Sequence, residues 1–219
     1  MSCFNTQWIL DNFDQTESFT YFEVGTAQIV PGDSTICKLH QAFPGGKFYG
    51  FEGAEIWHET NEIIAKRLGI QYISSVVGDI DGEILFYPSL TQDGKEHHWS
   101  SSIFELGDGS KNCGKVYGEP YVVSCLKLET FCKTLNVVPD FIHIDAEGAE
   151  FKIFQNIGKY KPKCIWTEIS SYPHYNTGTT FQEFNSLLEK LGYIRIFTTA
   201  RGDDALYCRT DFKTTQYIE

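Results

Sequence analysis

The chain has 219 residues, with 18 Lys and Arg against 29 Asp and Glu for a formal net charge of -11, and 42% of its residues are hydrophobic. That length suits a single domain over residues 1–219, with enough apolar content for a sizeable core rather than disorder. The acid excess argues against a nucleic-acid binder and against docking on anionic lipid; no apolar run can span a bilayer, and MSCFNTQWILDNF lacks the marks of a signal peptide, so a soluble, cytoplasmic protein is expected.

Short β-rich runs alternate with amphipathic helical stretches along the chain. SFTYFEV (18–24) reads as a strand. STICKLHQAF (34–43) follows as a helix, with Ile36, Leu39, His40 and Phe43 at helical spacing and Asp33 or Ser34 as its N-cap. KFYGF (47–51) is the next strand, and EIWHETNEIIAKRLG (55–69) a helix closed by Gly69. IQYISSVV (70–77) reads as a third strand, and EILFYP (83–88) as a hairpin-like fourth after the turn IDG. Residues 88–119 are rich in Gly, Ser, Asp and Lys without a clear period, as expected of a lid, a binding loop or a disordered segment.

Regularity resumes with LKLETFCKTL, whose Leu128, Phe131, Cys132 and Leu135 form one helix face ended by Pro139. FIHI (141–144) is a strand, 147–158 a helix, CIWTEI (164–169) a strand and 179–192 a helix. YIRIF (193–197) and ALYCR (205–209) finish as strands, antiparallel to one another across TTARGDD. The alternation implies an α/β fold, a mostly parallel sheet with helices on both faces. The seven cysteines are scattered and never form C-x-x-C, so they read as small buried hydrophobes rather than a disulfide framework or zinc site.

In open sheets of this kind ligands bind beyond the carboxyl ends of the strands. Acids gather there: Glu23 before Gly25 and Thr26, Glu52, Asp79, Asp145 with Glu147 and Glu150, and Glu168. Singly, each reads equally well as a loop or helix-cap acid; their combination on one sheet edge points to a site. Glu55, Glu59 and Glu62 read as ordinary exposed helix surface. The spacing after Gly25 does not fit G-x-G-x-x-G, which counts against a nicotinamide-dependent oxidoreductase, and neither a Walker A sequence nor G-x-S-x-G is present.

FIHIDAEGAEFKIFQNI (141–157) resembles the signature segment of FkbM-type methyltransferases: an apolar strand, then I-D-x-E-G-x-E, then an apolar helix. FEVGT (22–26), FYGFE (48–52), SSSIF (100–104), WTEIS (166–170) and LLEKLGY (187–193) follow in family order, so the resemblance covers roughly 19–209. Two departures stand out. The first motif usually reads D-x-G-A-N-x-G, whereas here Glu23 replaces the Asp and Gln28-Ile29-Val30-Pro31 precedes Gly32; His143 stands where the family commonly has Lys. This divergent first motif is the main support for a third possibility, a methyltransferase fold serving as a non-catalytic binding module.

The resemblance implies a doubly wound, Rossmann-like seven-stranded sheet with an antiparallel last strand, and an S-adenosylmethionine-dependent O-methyltransferase acting on a sugar, glycan or other small molecule. It implies cofactor binding by Glu23, Gly25, Thr26 and Glu52, the last on the ribose, with Asp79 a candidate for the adenine amino group. For proton removal, Asp145, Glu168 and His174 are the catalytic candidates, with His97 and His98 behind them and His143 read as a packed strand residue. By analogy with catechol O-methyltransferase-like enzymes, Asp145 and Glu168 are also candidates for holding Mg²⁺. Trp99, Tyr117, Tyr172 and Tyr175 could stack on a sugar or simply pack. The acceptor, the methylated position and the oligomeric state are open at this level.

Overall fold

The computed structural model describes residues 6–91, 94–95, 100–107, 116–169 and 175–214. In chain order the elements are α1 (Thr6–Asn12), β1 (Thr20–Val24), α2 (Thr35–Ala42), β2 (Lys47–Glu52), α3 (Glu55–Leu68), β3 (Gln71–Ser74), β4 (Val76–Val77), β5 (Gly82–Phe86), β6 (Ser89–Leu90), β7 (Val116–Tyr117), β8 (Tyr121–Leu126), α4 (Leu128–Leu135), β9 (Phe141–Ile144), α5 (Glu150–Gln155), β10 (Cys164–Glu168), α6 (Phe181–Lys190), β11 (Tyr193–Thr198) and β12 (Asp204–Arg209).

Seven strands form the main sheet in the order β11-β12-β10-β9-β1-β2-β3. All neighbours from β10 to β3 pair in parallel, and β12 runs antiparallel to both β10 and β11. The expected doubly wound sheet with an antiparallel last strand is therefore present. Strand order reverses at β1, which sits between β2 and β9, so the crevice beyond β1 and β9 is the switch point at which such sheets bind ligands.

Alternation along each strand divides the core. Tyr21, Phe48, Phe141 and Trp166 pack on one face with Trp8, Ile9, Ile36, Leu39 and Ala65 from α1, α2 and α3. Phe22, Phe51, Ile142 and Ile165 pack on the other with Leu128, Cys132, Ile153, Phe154, Phe184 and Leu188 from α4, α5 and α6. Each of these large side chains contributes about 1.5–3 kcal/mol on burial. The parallel strands are covered on both faces, which explains why their sequences are apolar without interruption.

Helix ends follow local chemistry. Gly69 closes α3 in the left-handed conformation, as its position suggested. Asn136 does the same for α4, so that helix stops before Pro139 is reached. Thr180 and Glu183 form a reciprocal capping box on α6.

The structure differs from the sequence reading in four places. First, 70–77 is not one strand: β3 ends at Ser74, and after Ser75 the chain enters a separate three-stranded sheet ordered β4-β8-β5. Second, β5 pairs not with its predecessor but with β8, across the whole 88–119 segment. Third, that segment contains the pair β6–β7 and a bridge from Tyr87 to Ser102. Fourth, the helix expected from 147 starts at Glu150, because Glu147 and Gly148 both take positive φ, 49° and 101°, and make a turn instead.

Candidate active site

A cavity of about 400 Å³ opens beyond the carboxyl ends of β1, β2 and β9. Its wall includes the loop after β1 (Gly25 to Gln28), Glu52 and Gly53, Ser75 to Val77, Ser101 to Ile103, and Asp145 to Glu147, with Glu23 and His143 beneath. Such a volume lies within the range for small-molecule sites.

Gly25 stands at the centre of this arrangement. It has φ +79°, and a Cβ placed on it would lie 2.0 Å from the Asp145 carbonyl oxygen. The absence of a side chain lets two loops of this chain approach closely, and Gly25 also lines the cavity. The N–H groups of Gly25 and Thr26 both donate to the Phe51 carbonyl, at 2.9 and 3.1 Å, tying the loop to β2.

Glu52 ends β2 and is buried. Its two carboxylate oxygens each accept a backbone N–H at 2.7 Å, one from Ala27 and one from Ala54. Burial pushes its carboxyl up, while the bonds from Ala54 and Ala27 pull it back.

Asn61, a residue the sequence reading passed over, completes this end. It is wholly buried on α3, donates from Nδ2 to the Ala27 carbonyl at 2.7 Å, and accepts the Ile29 N–H on Oδ1 at 2.8 Å. Its signal in the sequence was a polar side chain on the face that also carries Trp57, Ala65 and Leu68.

Acids gather at the other end. Asp145, Glu147 and Glu168 each offer one oxygen, and these oxygens all lie within 4.8 Å of one another. Asp145 is held well above the usual carboxylate range, first by burial and then by the charges of Glu147, Glu150 and Asp204. Glu150 is wholly buried and pushed up to about 8, by burial first and then by the Glu168 charge. Its Oε1 accepts the Ala146 N–H at 3.0 Å, the backbone bond anticipated for the start of a helix. Tyr175 donates its hydroxyl to Glu147 Oε2, and Ser102 donates to the Glu147 carbonyl at 2.7 Å. Ser102 belongs to the Ser-rich stretch singled out from the sequence, and Tyr175 stacks on Tyr117, which stacks on Tyr87.

Glu23 lies at the floor of the cavity beside His143. It lies opposite His143 in the β1–β9 register, and its Oε1 accepts from His143 Nδ1 at 3.3 Å. His143 is thus the hydrogen-bonded strand residue expected of it. Asp79 is not brought to the cavity wall. Because the chain turns into the second sheet after Ser75, Asp79 follows β4 and pairs with Lys152 at 3.2 Å. His174, His97, His98, Trp99 and Tyr172 lie outside the described residues. No helix among the described residues is long and apolar enough to cross a membrane.

No curated protein sequence matches the chain. Among solved structures, the methyltransferase FkbM of Methylobacillus flagellatus KT superposes with a TM-score of 0.50 at 14% identity, over 87% of this chain and 43% of that one. This chain therefore spans less than half of that structure. The fibrillarin pre-rRNA processing protein of Methanococcus jannaschii superposes with a TM-score of 0.47 at 13% identity, over 92% of this chain and 72% of that one. The sequence pattern of the methyltransferase FkbM domain matches residues 23–195, from Glu23 under the cavity to Arg195 in β11. On that match the chain belongs to the FkbM methyltransferase family.

Proposed function

We propose that the chain transfers the methyl group of S-adenosylmethionine to a hydroxyl of a sugar, glycan or other small molecule. The observation that carries this reading is the cavity at the switch point, with buried Glu52 at one end and Asp145 and Glu147 at the other. When bound, the cofactor supplies an electrophilic methyl group on a cationic sulfonium.

The chain's own residues meet the remaining requirements. Glu52, oriented by the Ala27 and Ala54 amides, accepts hydrogen bonds from the ribose hydroxyls. The loop from Gly25 through Thr26 to Gln28 walls the cofactor side. Asp145 and Glu147 provide negative potential next to the sulfonium, and Asp145 with Glu168 is the proposed pair that takes up the hydroxyl proton. Holding oxygen and methyl in line is itself worth several kcal/mol of barrier, ~7 or more in favourable cases. His174, a few residues after β10, is the other proposed proton acceptor. The oxygen donors of Asp145, Glu147 and Glu168 suit a hard cation, so the same set would hold Mg²⁺, which would acidify the acceptor hydroxyl.

Calorimetric titration with S-adenosylmethionine and with NADH separates this reading from an oxidoreductase. Binding of NADH alone overturns it, and binding of neither leaves a module without this chemistry. Transfer of label from methyl-labelled S-adenosylmethionine to a panel of sugars and sugar nucleotides then tests the enzyme. The double substitution Asp145→Asn, Glu168→Gln is expected to lower transfer roughly 10²-fold. Unchanged transfer removes the catalytic pair, and transfer that survives chelation removes the metal.

A further inference from the structure

The loop after β1 has Ile29 where its family's pattern has a second glycine, and it holds Ala27, at the pattern's Asn position, at φ +47°. A side chain with a Cβ is held there at a cost of roughly 1–2 kcal/mol, so something must over-determine the conformation. Three bonds do so. The Ala27 N–H donates to Glu52 Oε2, the Ala27 carbonyl accepts from Asn61 Nδ2, and the Ile29 N–H donates to Asn61 Oδ1. One buried amide thus meets the backbone at two residues of the same loop, acting as a side-chain substitute for a strand partner. An Asn amide presents a donor and an acceptor on separate atoms at one end, and its short side chain fits a wholly buried position. Gly25 to Gln28 and Val30 face the cavity, while Ile29 is packed beneath, so the shape of the cavity wall depends on this clamp.

We infer that Asn61 is a positioning residue for the cofactor loop, doing through α3 what a glycine-rich turn does elsewhere. It touches no ligand; it fixes the backbone that does, and so removes an ordering cost from binding. The inference rests on the S-adenosylmethionine reading above.

The test is calorimetry with S-adenosylmethionine on wild type, Asn61→Leu, Asn61→Asp and, as a control, Leu188→Ala. The Leu variant removes both bonds at similar volume. The Asp variant keeps the acceptor for Ile29 but loses the donor to Ala27, and carries the test if the Leu variant does not fold. Leu188 lies in α6 on the opposite face, so its truncation lowers stability without touching the loop. Affinity is expected to fall about tenfold or more in both Asn61 variants, and to stay within about twofold in Leu188→Ala. Hydrogen exchange at the Ile29 amide is expected to speed up in Asn61→Leu alone. Wild-type affinity in the Asn61 variants, or an equal loss in Leu188→Ala, overturns the inference while leaving the cofactor reading intact. A wild type that does not bind overturns both.

Discussion

At the β2 end of the cavity one carboxylate, Glu52, accepts two backbone N–H groups at 2.7 Å. At the β9 end Asp145, Glu147, Glu150 and Glu168 crowd together, and the charges of the others raise Asp145 and Glu150 beyond what burial alone would do. Both ends are acidic, but the carboxylate of the first is met by backbone N–H groups, while those of the second stand against other carboxylates. A carboxylate whose oxygens are met by backbone serves as architecture, because its charge is held in place. Carboxylates set against one another retain protons and attract cations, the properties needed to handle a hydroxyl. The cavity thus has a rigid end for recognition and an electrostatically loaded end for chemistry.

Three substitutions put that contrast at risk, in descending order of effect. Gly25→Ala strikes the crossing that joins the two ends. The new methyl would meet the Asp145 carbonyl at 2.0 Å on a positive-φ backbone, and we expect a loss of about 3 kcal/mol or more in urea unfolding. A near-neutral result would mean that the two loops are not in contact.

Glu150→Gln tests the loaded end. The native carboxyl titrates near 8 against an ordinary value of 4.5, so the folded chain holds a proton that the unfolded chain releases. This group's contribution to stability is therefore present below about pH 4.5 and is lost as pH rises to about 8. Gln does not titrate and still accepts the Ala146 N–H. The variant should gain on wild type across that window, by more than about 1 kcal/mol at its upper end. A pH-independent difference would remove the crowding argument.

The smallest effect belongs to Asp79→Asn. Its ion pair with Lys152 is partly exposed and away from the cavity, so we expect about 0.5 kcal/mol or less in stability and unchanged S-adenosylmethionine affinity by calorimetry. A marked loss of affinity would return Asp79 to the site.

The sheet was legible in the sequence because its buried parallel strands are short, apolar and separated by helices with clear periods. Strand-end acids follow from that reading, and Glu52, Asp145 and Glu168 stand where the order of strands puts them. What was not legible depended on partners distant in the chain. Nothing in IQYISSVV says that Ser75 breaks the strand, since β4 is defined only by pairing with β8, and that turn sets Asp79 beside Lys152. Glu147 has an acceptable helix-forming side chain, and only the packing of Gly148 against Thr177 and Tyr175 shows why a turn precedes α5. Asn61 could have been found, as a polar residue among Trp57, Ala65 and Leu68 on one helix stripe, but its purpose is visible only with the loop beside it.

The place of β9 between β1 and β10 has a kinetic consequence. The Glu23–His143 bond joins residues 120 apart in sequence, and the Gly25–Asp145 crossing has the same span. A chain emerging during synthesis can assemble β1, β2 and β3, but the middle of the sheet stays open until β9 arrives. Closing so long a loop is slow compared with forming local helices. The pocket therefore matures no earlier than β9 docks, so a chain that has assembled only β1, β2 and β3 lacks the β9 wall of its ligand site.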